Sequence, residues 1–429
     1  MPPESERAPA VARGPRLGPT HDAARAPLLL TLAWRNLWRH RRRTLVMLFA
    51  LVLGVWSMIV MAALIRGSME QMVEKEILNL TGHVQIHAPG YRDDPAVEHR
   101  FAVTPALAEA LQAKALVAAS ARVRVPAVIS SERESAGVVL VGMDPQGERG
   151  LSFISKAVTS GAYLSSPDDP GLLLGRKLAK QLETALGRRV VLMSQDANNQ
   201  IADRGFRVVG IFDTDPQAME TGYVFIGLDI AQQMLKVGKD VSEVAVMTPD
   251  RNHLETPLTA LRTAALNLDV APWTDVQPLL VLTEKIHNVV LLIWFAVVFT
   301  AMAFGLVNTL LMAVFERTRE FGLFQALGMP PRFILGQVLA ESLILLGIGL
   351  LLGNLASWTS VVALKGGIDL SMFAEGLEMV GMSPVIYPAL AAADVTAANA
   401  IVVALGVLAS LYPAWRAARY VPVEAITRT

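Results

Sequence analysis

The sequence predicts an α-helical membrane protein with four transmembrane helices and a large α+β extracytoplasmic domain between helices 1 and 2. Three observations lead there. Of the 429 residues, 53% are hydrophobic and 18% are still charged; that mixture asks for membrane spans together with a sizeable soluble domain. Four long apolar runs divide the chain, with one stretch of strand and helix patterns between the first two. Arginines cluster before the first run, between the second and third, and after the fourth. By the positive-inside rule this expects both termini and the middle connection in the cytoplasm. The net charge of zero singles out no partner, and the absence of cysteine excludes disulfides, thiolate metal sites and cysteine nucleophiles.

Residues 1–27 are rich in Pro, Ala and Arg without apolar periodicity, and are expected to be a disordered cytoplasmic tail without a signal-peptide core. Residues 28–43 predict an amphipathic interfacial helix. Leu30, Ala33, Trp34, Leu37 and Trp38 share one side, and Arg35, Asn36, Arg39, His40, Arg42 and Arg43 the other. The first span, 44–66, is uncharged from Thr44 to Ile65, about 22 residues, enough for the roughly 30 Å hydrocarbon core. That is too long for a signal-peptide core, so a retained anchor is expected.

Residues 67–286 form the outer domain. Alternating or β-branched runs predict strands at His83–His87, Val123–Ile129, Gly137–Gly142, Arg189–Met193, Arg207–Phe212, Tyr223–Ile226 and Ser242–Met247. Helical patterns fall at Thr104–Ala119, Gly175–Leu186, Asp229–Leu235 and Thr256–Ala265. The second span follows at 287–315, the third at 333–358, an outer loop at 359–394, the fourth span at 395–413 and a cytoplasmic tail at 414–429.

The most informative stretch is the connection at 316–332, which begins ERTREFGLFQALGMPP. Glu316 can pair with Arg319, and Arg317 with Glu320, at i,i+3. Gly328 suits the left-handed position that ends a helix, and Pro330–Pro331 bars continuation while suiting the next start. A short rigid helix is therefore expected, although a tight solvated turn fits the same physics. An exposed Phe321-Gly322-Leu323-Phe324 would favour a helix that docks a partner.

Resemblance favours the helix. VNTLLMAVFERTREFGLFQALGMPPRFI (Val307–Ile334) and YPAWRAARYVPVEAI (Tyr412–Ile426) resemble signatures of FtsX/MacB-type ABC transporter permeases. LAWRNLWRHRRRT (Leu32–Thr44) and TGHVQIHAPGY (Thr81–Tyr91) are similar to the lipoprotein-releasing LolC/LolE branch. The resemblance implies that the outer domain is a MacB-like periplasmic core in the periplasm of a bacterial cell with these spans in its inner membrane. It implies a second permease chain, identical or paralogous, and two copies of a cytoplasmic ABC ATPase that carries the ATP and Mg. This chain itself would bind no cofactor, metal or nucleic acid. The coupling segment implied is Glu316, Arg317, Arg319, Glu320, Phe321, Gly322, Phe324, Leu327 and Gly328.

Within that superfamily, MacB-like chains carry an ATPase ahead of the first span, where only about 43 residues stand here, and no G-x-x-x-x-G-K-[ST] occurs. Division-type FtsX permeases have smaller outer domains, and the BceB-like branch has more spans. The LolC/LolE-like shape remains, with lipoprotein cargo and a periplasmic carrier as expected partners. Exposing an acyl chain costs about 0.8 kcal/mol per CH₂, so extraction needs both a groove and an energy source. The alternatives are a MacB-like peptide or drug efflux permease and an FtsX-like mechanotransmitter controlling a periplasmic hydrolase.

Other constellations are weaker. His83, Gln85 and His87 would share one face of a strand, with a structural role favoured over metal binding. Glu284 and His287 stand at i,i+3 without a second pair. No H-E-x-x-H or G-x-S-x-G occurs, so no catalytic residue is named. Gly349 and Gly353 form a G-x-x-x-G expected to bring helices close. Glu341 is expected to pair with an arginine of the interfacial helix, and Asn308 to bond another helix. A substrate groove would be lined by Met47, Phe49, Leu53, Phe295 and Phe299.

Overall fold

Four helices are long and apolar enough to cross a membrane. They belong to a computed structural model that describes residues 25–214, 217–373, 376 and 383–419. The expected N-terminal tail up to residue 24, the C-terminal residues 420–429 and part of the outer loop lie outside the described residues. The chain divides into two units, one holding the apolar helices and the other formed by Gly67–Asn288 with Gly367–Tyr387.

The helical unit contains α1 (Arg25–Leu37), most of α2 (Arg41–Glu76) and of α3 (Pro278–Glu316), the short α4 (Thr318–Ala326), α5 (Pro331–Ala363) and α6 (Ala392–Ala418). The expected interfacial helix over 28–43 stops early, at Leu37. A turn at 38–40 follows, where the Arg39 amide donates to the Asn36 carbonyl, and the Thr44 hydroxyl donates back to the Leu37 carbonyl at 2.6 Å. Those bonds satisfy groups that a broken helix leaves open, and Arg41–Arg43 become the first turn of α2. At the other end α6 passes Pro413 and continues to Ala418, because Ala414 and Ala417 are buried against α4 and α5 neighbours.

Close approach of these helices depends on glycine. A Cβ on Gly349 would stand 2.9 Å from that of Leu51, and one on Gly353 2.6 Å from that of Val55. The G-x-x-x-G thus seats α5 on α2, as small residues do in membrane interfaces. Met47, Leu51, Val55 and Met58 form one buried stripe of α2, against Phe295, Phe299 and Met302 of α3. Asn308 departs from expectation: it is exposed and makes no hydrogen bond among the described residues. Interhelical polar bonds fall elsewhere. Asn354 and Asn399 exchange amide bonds of 2.9 and 3.1 Å between α5 and α6, and Trp56 donates to Ser360 at 2.9 Å. Arg66 holds Asp394 through both guanidinium and carboxylate atoms, tying α2 to α6.

The second unit is built on a ten-stranded sheet. Its strands are β1 (Val84–His87), β2 (Ala118–Ser130), β3 (Ser135–Met143), β4 (Val158–Gly161), β5 (Gly171–Gly175), β6 (Arg189–Gln195), β7 (Ile201–Phe212), β8 (Tyr223–Gly227), β9 (Glu243–Met247) and β10 (Asp269–Pro272). The order is β10-β1-β9-β2-β3-β8-β5-β7-β4, with β6 pairing β2 and β7. Only β3–β8 and β5–β7 are parallel. All seven predicted strands are present, while β4, β5 and β10 are additional to them. The helix expected over Thr104–Ala119 ends at Leu111, because Ala118 already pairs with Met247 in the sheet. β1 is buried along its whole length, with Val84 and Ile86 packed among Met69, Val73, Leu107 and Leu280.

Charge is buried at the heart of this unit. Arg122, Glu148 and Glu243 have side chains fully shielded from solvent. Arg122 grips Glu148 bidentately at 2.6 and 3.0 Å, donates to Glu243 at 2.7 Å, and donates to the carbonyl of Leu80. Leu80 sits at a φ of 77°, in the turn that ends α2, so a guanidinium pins a strained backbone position. Burial alone would push the Glu243 carboxyl up. His87 beside it and the guanidiniums of Arg122 and Arg124 outweigh burial and hold it well below the usual carboxylate range. The structural contacts of the two histidines are local: His83 bonds Thr248 at 2.8 Å, and His87 stacks on Tyr91 with centroids 5.0 Å apart.

A depressed carboxylate stabilises the fold above its ordinary pKa of 4.5 and loses that contribution as pH falls toward its folded value. Acid should therefore weaken the outer unit below about pH 4.5. Glu243→Gln should flatten that acid limb and cost about 3–5 kcal/mol at neutral pH by leaving Arg122 short of a partner. Urea unfolding of the full chain in detergent, followed by limited proteolysis, checks this; an unchanged midpoint and acid limb would refute it. In the helical unit, Gly353→Leu should lower the thermal midpoint, whereas Gly347→Leu, whose Cβ would meet nothing within 4 Å, should not. Equal midpoints for the two variants would refute close α2–α5 packing as the glycine's role.

Candidate functional site

The connection between α3 and α5 is a helix held in place by ions. α3 ends at Glu316, Arg317 leaves helical geometry at φ −109° and ψ 14°, and α4 begins at Thr318. Its far end is closed by Gly328 at φ 87°. The Gly328 amide donates to the Gln325 carbonyl at 2.9 Å and the Met329 amide to the Phe324 carbonyl at 3.0 Å, the paired bonds of a Schellman cap. Pro331 then starts α5 at the position where its missing N–H costs nothing.

Arg317 is the hub. Its side chain is buried, donating to Glu341 of α5 at 2.8 Å and to Glu320 at 3.1 Å, with its guanidinium 5.1 Å from the ring centre of Phe321. Asn36 of α1 supplies Glu341 with a second donor at 3.0 Å. Glu341 was expected to meet an arginine of the interfacial helix; the arginine comes from the connection instead, and the α1 partner is Asn36. The expected i,i+3 pair of Arg317 and Glu320 forms, whereas that of Glu316 and Arg319 does not. Glu316 turns to Arg43 at 2.6 Å, with His40 at 3.9 Å, and Glu320 also receives Arg39. Burial would raise the Glu320 carboxyl, but the Arg39 and Arg317 bonds outweigh it and hold it low. Arg319 stays exposed.

The apolar side of α4 also differs from expectation. Phe321 is fully buried among Val314, Ile334, Val338, Ala414 and Ala417, Gly322 is buried beside it, and Phe324 is half-buried. The exposed face consists of Arg319, Leu323 (53% exposed) and Leu327 (72%), one stripe at i,i+4 spacing. Leu323 was missed as a site residue, although its spacing to Arg319 and Leu327 marks it. Asn36, Arg39, His40 and Arg43 were missed as partners because no local pattern couples residues nearly 300 positions apart.

The five residues named for a substrate groove do not come together. Met47, Phe295 and Phe299 lie inside the helix bundle, whereas Phe49 (68% exposed) and Leu53 face outward. The set mixes two faces of α2: Met47 belongs to the buried stripe with Leu51 and Val55, and Phe49 and Leu53 to the opposite side. Glu284 makes no ion pair among the described residues, and His287 bonds the Thr283 carbonyl at 2.8 Å within α3. No group of three His, Cys, Asp or Glu side chains stands close enough for a metal among the described residues.

Arg317→Leu should cost about 3–5 kcal/mol by stranding the buried Glu341 carboxylate, and adding Glu341→Leu should restore much of that loss. Thermal unfolding of the full chain in detergent measures both. A single variant as stable as the wild type, or a double variant worse than the single, would remove Arg317 as the hub.

Comparison with known proteins places this geometry. The chain is 23% identical to the lipoprotein-releasing system transmembrane protein LolC of Xylella fastidiosa over 93% of its length and 98% of that protein's. It is 23% identical to LolC of Neisseria meningitidis, covering 89% of this chain and 93% of the relative. It is 25% identical to the pyoverdine export ATP-binding/permease protein PvdT of Pseudomonas syringae pv. tomato, over 95% of this chain but 61% of that protein. Among solved structures, the periplasmic region of MacB from Actinobacillus actinomycetemcomitans aligns with a TM-score of 0.35 and 10% identity over 48% of this chain and 96% of that one. Residues 292–422 match the FtsX-like permease C-terminal model, and residues 44–264, more than half of the chain, match the MacB-like periplasmic core domain. The chain belongs to the FtsX-like permeases that carry a MacB-like periplasmic core domain.

Proposed function

We propose that the chain is the permease subunit of an ABC transporter that extracts lipoproteins, or similar amphipathic cargo, from the outer leaflet of the bacterial inner membrane. ATP and Mg belong to a separate ATPase, two copies of which serve a pair of permease chains, identical or paralogous. The observation that carries this reading is α4. Three acid–base contacts clamp one side of it, while Leu323, Leu327 and Arg319 remain open on the other. Exposed leucines on a short, rigidly capped helix suit docking of a second protein. A push on α4 reaches α5 through the Arg317–Glu341 bond, and it reaches α3 and α2 through Glu316, which ends α3 and pairs with Arg43 of α2. Those two helices, of 39 and 36 residues, are about 58 and 54 Å long, beyond what a bilayer core requires. In this reading the termini and α4 are cytoplasmic and the sheet domain is periplasmic, where it hands cargo to a carrier.

Lipoprotein release is favoured because the relatives bearing that description match along nearly their full length. Efflux of a small secreted molecule is the second reading, supported by the pyoverdine export relatives. Leu323→Asp with Leu327→Asp should abolish co-purification of a co-expressed partner ATPase, while leaving α4 helical. Full co-purification would sink the docking face. Native mass spectrometry of the nucleotide-free wild-type complex separates the cargoes: a bound triacylated protein supports release. Its absence, combined with loss of export of a small molecule in a deletion strain, replaces that reading with efflux.

A further inference from the structure

Helices α2 and α3 leave a groove of about 360 Å³ between them near the coupling segment. Val46 and Ala50 of α2 and Met302 and Gly305 of α3 line it, and Arg42 and Arg43 stand at one end. We propose that it binds one acyl chain of an anionic phospholipid whose phosphate meets Arg42 and Arg43. The inference rests on the membrane placement proposed above, but not on the ATPase or the cargo.

Three features select this occupant. Lining residues extend along α2 from Arg42 to Leu51, a rise of about 14 Å, close to half of the roughly 30 Å hydrocarbon core. The groove is thus one leaflet deep, and its arginines lie at headgroup level. The space is open: a Cβ on Gly305 would meet nothing within 4 Å, and Val46 is 71% exposed. The charge is unbalanced. Arg42 has no ion pair or hydrogen bond among the described residues, and no acidic side chain lines the groove. Arg43 gives one guanidinium nitrogen to Glu316 and keeps other donors for a phosphate. A two-fold pairing of this face with a second copy would bring arginines against arginines, whereas an anionic headgroup neutralises both at the membrane surface. The leaflet is the one at the Arg42 end of the spans, opposite to that of the proposed cargo, so the site is separate from cargo extraction. Because the phosphate shares Arg43 with Glu316, the last residue of α3, occupancy bears on the clamp that holds α4.

The full chain, purified from phosphatidylcholine nanodiscs doped with phosphatidylglycerol, can be weighed by native mass spectrometry to count retained lipids. The expected result is preferential retention of one phosphatidylglycerol per chain. Arg42→Gln should lower that preference roughly fivefold, the worth of one arginine at an anionic surface, and Arg42→Lys should keep it. Gly305→Phe should displace the lipid by filling the open space; Gly305→Leu serves the same end if the larger variant does not fold. Retention unchanged in both Arg42→Gln and the filled-groove variant means annular lipid only and overturns the proposal. Equal retention of the two lipids by the wild type overturns the charge selection. Because the chain has no cysteine, Ala301→Cys provides a clean probe: quantitative disulfide crosslinking would put a second copy on the groove and overturn the lipid. Lipid counting needs neither ATPase nor cargo, so failure here leaves the transporter reading untouched.

Discussion

A carboxylate inside an apolar bundle has to be neutralised where it stands. Glu341 lies in α5, buried, where an unpaired charge would cost several kcal/mol. Arg317 and Asn36 meet it at 2.8 and 3.0 Å, and much of the arrangement around α4 follows from that need. Arg317 reaches Glu341 only if the chain leaves α3 at Glu316 and turns, so the break before α4 and the position of α4 are consequences. Asn36 reaches it only if α1 folds back, which the turn at 38–40 allows. A buried pair of this kind adds little net stability. Its effect is to allow one arrangement of α1, α4 and α5 and to penalise the rest.

The same device recurs in the sheet domain. Arg122, with Glu148 and Glu243, is buried between strands and binds the carbonyl of Leu80 where α2 ends. Beside it, Gln277, the residue before α3, donates to Glu76 in the last turn of α2 at 3.3 Å. At their opposite ends α2 and α3 are joined by Arg43 and Glu316. Each end of the helix pair is thus fixed by directional polar contacts, while the length between is packed by shape, with Gly54 of α2 against Met302 of α3. Apolar packing permits small sliding and polar knots resist it.

Much of this was legible in the chain. Four apolar runs, arginine asymmetry and alternating strands express the two solvents the protein meets, and those patterns are written locally. The cap at Gly328 and the proline start of α5 were legible for the same reason, since each depends on a few adjacent residues. The strands β4, β5 and β10 were not: VTSG and DVAP show no apolar–polar alternation, and GLLLG is a short apolar run that a buried helix segment could equally carry. The groove residues failed for a related cause: an apolar side chain reads the same in the bundle core, as Met47 is, or facing outward, as Phe49 is.

What the sequence determined by itself is the set of spans, the outer domain between the first two, and the capped segment at 316–332, all consequences of local hydropathy and turn chemistry. The tertiary structure decided which charges meet. Glu316 could satisfy Arg319 nearby, yet it binds Arg43, 273 residues away, because the helix breaks at Arg317 and α2 starts alongside. It also decided which face of α4 is free: Phe321, the more hydrophobic in appearance, fills a hole among α5 and α6, and Leu323 with Leu327 is left outside. Pairing partners and open faces depend on what other helices bring near, and no local pattern carries that.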